Sequence, residues 1–289
     1  TMPSPTAHRA PRPNPVARAV SMALVALAVA ACGSGPDVEP GTGPAPGAPP
    51  APAVAPAPPA APVDRAIATV PADRPAVAEH GMVASAHLLA SEIGDSILRA
   101  GGNAVDAAVA TGFALAVVYP RAGNIGGGGF MVIRFPDGTA TTVDFREKAP
   151  LAAHPEMWLD ERGEYDRQRH HLSHMAVGVP GTVAGLAYVH ERFGRLPWPE
   201  LVDPAVRLAR DGWRMTPGVA WSLASVLDEF RRYPASLEAF SKDGEPYRPG
   251  ETFRQPDLAA TLARIRDRGA EGFYAGETAR LLVAEMERG

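Results

Sequence analysis

The sequence contains a single cysteine, Cys32, among 289 residues. That excludes an internal disulfide framework and a cysteine-rich metal site. It also lacks an excess of either charge: 28 Lys and Arg face 32 Asp and Glu, a formal net charge of −4. No basic stripe marks a nucleic-acid partner. No apolar run reaches the ~20 residues that a membrane-spanning helix requires. No internal repeat is present. Proline is what the chain has in excess, 31 residues, and more than half of them stand in the first quarter. That asymmetry divides the chain into a tail and a body.

His8, Arg9, Arg12 and Arg18 make a basic start, and residues 19–31 form an almost uninterrupted apolar run. The run is too short to span a bilayer and fits the central segment of a secretory signal. It closes on Val29-Ala30-Ala31-Cys32-Gly33. Small residues before a lone cysteine look like a bacterial lipoprotein box, in which Cys32 is lipidated and becomes the new N-terminus. The alternative is an ordinary signal peptide with a chance cysteine. Several acyl chains on Cys32 predict a stable anchor, and an exported protein held to a bacterial membrane on its periplasmic or outer face. Residues 33–64 are Pro, Ala and Gly with hardly a charge. Such a segment buries too little surface to fold and predicts a semi-rigid polyproline II tether. The expected organisation is a signal peptide at 1–32, a disordered tether at 33–64 and a folded body at 65–289.

In the body, residues 82–86 read as a short strand. Leu89, Ile93 and Ile97 then recur at helical spacing, and Gly101-Gly102 marks the stop. Asn103 with Asp106 three residues later predicts a capping box. The helix it opens, residues 104–118, is apolar on nearly every side, so it belongs in a core. Residues 130–135 predict a buried strand, Pro136-Asp137-Gly138 a turn and residues 139–145 its hairpin partner. Helical patterns follow at 180–193, 199–212, 216–232, 258–269 and 277–286. The last has an apolar face of Ala279, Leu282, Val283 and Met286 that needs a cover. Few strands for many helices predict an α+β class and a part of a larger protein.

The most informative segment is Asn124-Ile125-Gly126-Gly127-Gly128-Gly129-Phe130-Met131, followed by Asp144-Phe145-Arg146-Glu147-Lys148-Ala149-Pro150. Four glycines leave no side chain between the backbone and whatever lies against it. Arg146 at the end of a hairpin carries a flat fork of donors that matches a carboxylate. A structural ion pair with Asp144 or Glu147 is the competing role. Gly126, Gly127, Gly128 and Gly129 are not a phosphate cradle, because no Lys-Ser/Thr follows and a strand stands where a helix should. They are expected to form a tight turn that shapes a pocket wall.

These two motifs resemble the γ-glutamyltranspeptidase family. The segments Gly101-Gly102-Asn103-Ala104-Val105-Asp106-Ala107-Ala108, Gly178-Val179-Pro180-Gly181-Thr182-Val183-Ala184-Gly185 and Leu208-Ala209-Arg210-Asp211-Gly212 add to the resemblance, in order, from Gly81 onward. It implies an N-terminal-nucleophile hydrolase with a stacked α/β/β/α core, made as a precursor that cuts itself into a large and a small subunit. A threonine beginning the small subunit supplies the nucleophile, and its α-amine the base. The γ-glutamyl group of glutathione or another γ-glutamyl compound passes through a threonine ester to an amino acid, a dipeptide or water. No cofactor is implied. The resemblance assigns Arg146 to the α-carboxylate of the glutamyl group. It reaches only part of the large subunit, so no catalytic residue is expected in this chain, and the chain alone is expected to be inactive.

Two other readings share these residues. One is a non-enzymatic lipoprotein that binds an amino-acid or γ-glutamyl ligand through Arg146. The other is a related glutaryl or cephalosporin acylase. Asp166, His170 and His174 are spaced by four, like metal ligands on a helix, but their charged surroundings predict a solvated surface and no metal. Trp158, Trp198, Trp213 and Trp221 are expected in the core and in helix packing.

Overall fold

A computed structural model describes residues 77–289. The expected signal peptide, the lipidation site Cys32 and the tether at 33–64 lie outside the described residues. Residues 82–86 do not pair as a strand. An extended run becomes a strand only beside another edge, and none among the described residues reaches it. It attaches by a side chain instead: Val83 is partly buried, in the notch left by the missing side chain of Gly94.

His87 then caps helix α1 (Leu88–Arg99), with Nδ1 accepting from the Leu89 N–H at 3.3 Å. Burial pushes the His87 pKa down, which favours the neutral ring that a cap acceptor requires. Gly101, at φ +93°, turns the chain out of the helix.

The capping box forms as expected at helix α2 (Ala104–Val118). Asn103 Oδ1 accepts from the N–H groups of Val105 and Asp106, at 2.8 and 3.0 Å. Asp106 Oδ2 accepts from Asn103 N–H at 2.8 Å. The fully buried Asp106 also takes the Arg195 and Leu196 N–H groups, at 2.9 and 3.4 Å. One carboxylate therefore caps α2 and ties down a loop some 90 residues away. Most of α2 is buried, including Phe113, Val117 and Val118.

Strands β1 (Phe130–Arg134) and β2 (Ala140–Asp144) form an antiparallel hairpin, with Phe130 opposite Asp144 and Arg134 opposite Ala140. The expected burial of this strand is overturned. Ile133 is buried, but Phe130 is 64% and Val132 75% exposed. A strand alternates its faces, and the hairpin packs on the core through Met131, Ile133, Phe135 and Val143.

Helix α3 (Arg167–Leu172) is short. Helix α4 (Thr182–Phe193) and helix α5 (Trp198–Asp211) follow the predicted bounds closely. Leu201, Val202, Ala205, Val206 and Ala209 form the buried stripe of α5. A ribbon of two short strands, β3 (Trp213–Arg214) and β4 (Thr252–Phe253), was not legible in the sequence. Two residues carry no periodicity to read.

The single helix expected over 216–232 is two, α6 (Pro217–Ala224) and α7 (Leu227–Phe230). Ser225 Oγ donates to the Ser222 carbonyl at 2.8 Å at the break, offering the backbone a local alternative to continuing the helix. Helix α8 (Pro234–Phe240) restarts at a proline, which suits a first turn. Helix α9 (Pro256–Arg268), helix α10 (Glu271–Tyr274) and helix α11 (Gly276–Arg288) complete the order.

The core lies between α1, α2, α5 and α9. Trp213 is buried in it, and Trp198 packs edge-on against Phe113 while its Nε1 donates to the Ile265 carbonyl at 2.9 Å. Trp221 departs from expectation at 68% exposed, because α6 turns Val219, Ala220 and Leu223 inward and leaves Trp221 opposite. Leu282, Val283 and Met286 of α11 are exposed as well.

Candidate active site

Three motifs far apart in sequence meet at the end of β2. Asp144 Oδ1 accepts from the Arg146 N–H at 2.9 Å, which turns the chain as it leaves the strand. Gly129 and Phe145 exchange backbone hydrogen bonds of 3.3 and 3.0 Å, so pairing continues into the glycine run. A Cβ on Gly128 would stand 2.5 Å from the Phe145 carbonyl oxygen and 2.8 Å from Arg146 Cα. One on Gly129 would press the Phe145 ring at 3.0 Å. None of Gly126 to Gly129 has a positive φ. The run is glycine for close approach and not for handedness.

The third motif closes on the same backbone. Gly127 carbonyl oxygen accepts from both Gly181 and Thr182 N–H, at 2.7 and 3.0 Å. Lys148 and Val179 exchange backbone bonds of 3.1 and 2.8 Å. Cβ atoms on Gly181 and Gly185 would collide with the Phe145 carbonyl and ring respectively. The glycines of 178–185 thus let α4 lie directly against Phe145.

Arg146 lines an open cavity of about 670 Å³, shared with Lys148, Tyr188, Arg192 and Tyr274. Its side chain is 63% exposed. Nε donates to Glu147 Oε2 at 3.0 Å, and the guanidinium carbon lies 5.8 Å from the Phe130 ring centre. Among the described residues neither terminal nitrogen of Arg146 has a hydrogen-bond partner. The Glu147 carboxyl is held below its usual range, first by its own backbone N–H and then by Arg146, so it stays charged. The competing structural role is therefore realised, as an ion pair with Glu147 and not with Asp144. One edge of the guanidinium is held by this ion pair, which leaves its two terminal nitrogens available. Lys148 and Arg192 add positive charge to a cavity whose one lining carboxylate is Asp144, which suits an anionic ligand.

The glycine run does not line this cavity. Gly128 packs against the Arg146 backbone and Gly129 against the Phe145 ring, and Gly126 borders a separate cavity of about 580 Å³ with Ile125, Arg254 and Gln255. Asp166, His170 and His174 are engaged separately. Asp166 caps α3, His170 meets the Tyr165 hydroxyl at 2.7 Å, and His174 pairs with Glu285 at 3.0 Å. Among the described residues no group of three His, Cys, Asp or Glu is placed to hold a metal ion. Sequence reading missed Tyr274, Tyr188 and Arg192 as cavity residues. The glycines at 181 and 185 were the only signal, since they mark where another backbone comes close.

A helix-rich α+β unit with a short hairpin, a buried all-apolar helix and an arginine at the hairpin's end is of the N-terminal-nucleophile hydrolase class. The model of the family described as gamma-glutamyltranspeptidase matches residues 90–289, and the chain belongs to that family. It is 48% identical over 216 residues to the glutathione hydrolase proenzyme of Pseudomonas sp. (strain A14), covering 74% of this chain and 38% of that protein. The crystal structure of Helicobacter pylori gamma-glutamyltranspeptidase superposes with a TM-score of 0.73 at 44% identity, over 74% of this chain and 62% of that one. A cephalosporin acylase from Bacillus halodurans shares the fold more distantly, at 28% identity and a TM-score of 0.64, over 76% of this chain and 43% of the acylase. The chain spans well under half the length of the curated relative it matches.

Proposed function

We propose that this chain supplies the carboxylate-gripping part of the large subunit of a γ-glutamyltransferase/glutathione hydrolase. The observation that carries the proposal is Arg146 lining the cavity with Nε bonded to Glu147 and its terminal nitrogens unpaired among the described residues. Two parallel N–H···O bonds from that fork would hold the α-carboxylate of a γ-glutamyl group and leave its γ-carbonyl pointing away. The nucleophile is the threonine that begins the small subunit, carved from the same precursor. Its Oγ adds to the γ-carbonyl carbon, its α-amine takes the proton, and the amide nitrogen departs protonated. The resulting ester passes to an amino acid, a dipeptide or water. Glutathione is the donor this reading names first.

The full-length protein is expected to cleave into two subunits, the smaller beginning with threonine, and to release nitroaniline from γ-glutamyl-p-nitroanilide. Residues 1–289 alone should release none. A processed protein that prefers a glutaryl anilide would move the reading to the acylases. One that neither processes nor turns over would leave a binding lipoprotein.

We also propose export and lipid anchoring through Cys32, on the strength of the basic start, the apolar run and the small residues before that cysteine. Cys32→Ser should shift the protein from the membrane fraction to the soluble one. Continued sedimentation with membranes would count against the anchor.

A further inference from the structure

Helix α4 begins without a cap of its own. Its N-cap residue is Gly181, which makes no side-chain cap bond, and any Cβ there would meet the Phe145 carbonyl oxygen. Close approach to the Arg146 segment therefore forbids the residue types that satisfy first-turn N–H groups elsewhere.

The vacancy is filled from 90 residues away. The Tyr274 hydroxyl accepts from the Ala184 N–H at 3.2 Å and donates to the Pro180 carbonyl at 2.8 Å. A single side chain thus holds the backbone on both sides of Gly181. That corner is bonded to Gly127 through its N–H groups and rests on Phe145 and Arg146. Tyr274 and Arg146 also line the same cavity. Burial raises the phenol pKa, which keeps the hydroxyl a donor.

We propose that Tyr274 is a positioning residue for Arg146. Its hydroxyl locks the Pro180–Gly181 corner against which the Phe145–Arg146 backbone is seated, and so sets where the guanidinium stands at the cavity. The inference rests on the reading that Arg146 grips a substrate α-carboxylate.

The test is Tyr274→Phe in the full-length, processed protein, with two probes, γ-glutamyl-p-nitroanilide and 4-aminobutyryl-p-nitroanilide. The second lacks only the α-carboxylate. The expected result is a KM for the first probe raised about three- to tenfold, as for the loss of one or two hydrogen bonds, with kcat within about twofold. Kinetics on the second probe should not change. A structural role alone would move both probes together, and that outcome, or an unchanged KM, overturns the proposal. Arg146→Ala run in parallel separates the two readings. If it fails to discriminate between the probes, the assignment of Arg146 falls. If it discriminates and Tyr274→Phe does not, only the positioning role falls.

Discussion

Arg146→Lys in the full-length protein is expected to raise the KM for γ-glutamyl donors at least tenfold while kcat changes much less. Nε of the guanidinium bonds Glu147 at 3.0 Å, which leaves the terminal nitrogens of this cavity-lining residue for the proposed carboxylate. Lysine brings one ammonium group, which cannot keep Glu147 and also meet both oxygens of a carboxylate. Losing one charge-assisted hydrogen bond costs about 1.5–3 kcal/mol, or roughly ten- to a hundredfold in affinity. The effect belongs in KM because a carboxylate remote from the reacting carbonyl is gripped alike in the bound and transition states. Steady-state kinetics on a γ-glutamyl anilide would decide the matter. A KM within twofold of the parent would remove Arg146 from the binding site.

Asp106→Ala is expected to be strongly destabilising. The carboxylate is fully buried and accepts from the N–H groups of Asn103, Arg195 and Leu196. Alanine leaves those three donors unsatisfied, at roughly 1–3 kcal/mol each, for a total of at least about 3 kcal/mol. That is a large share of the 5–15 kcal/mol by which folded proteins are typically stable. Asp106→Asn keeps one acceptor oxygen and should cost less than alanine. Urea denaturation followed by circular dichroism checks both. A loss below about 1 kcal/mol for alanine would mean that the loop at Arg195 is not held by this carboxylate.

The local parts of the fold were largely legible. Asn103 and Asp106 announce their box, Gly101 its stop, and Pro136-Asp137-Gly138 its turn, because each acts on neighbours three or four residues away. Periodic stripes placed α1, α5, α9 and α11 for the same reason. The failures arose where the outcome depended on a partner distant in sequence. Residues 82–86 have strand composition but, among the described residues, no edge to join. Phe130 and Val132 have core composition but sit on the open face of a two-stranded ribbon. Trp221 is apolar on the wrong side of its helix.

The site divides along the same line. Arg146, Glu147 and the glycine run stand out in the sequence, since a guanidinium after a β-rich segment and four residues without side chains are chemical signals in themselves. Which backbone the glycines admit is not among those signals. The fold brings Gly128 onto Arg146, Gly181 and Gly185 onto Phe145, and the Tyr274 hydroxyl across both sides of Gly181.

The sequence by itself determined the residue chemistry, the helix caps and turns, and the division into tail and body. These follow from short-range hydrogen bonding and from composition. Only the tertiary structure decided that Arg146 lines a cavity, which backbone packs against it and which aromatic hydroxyl stands in for a missing cap. Those depend on close packing between segments up to some 90 residues apart, which no local pattern encodes.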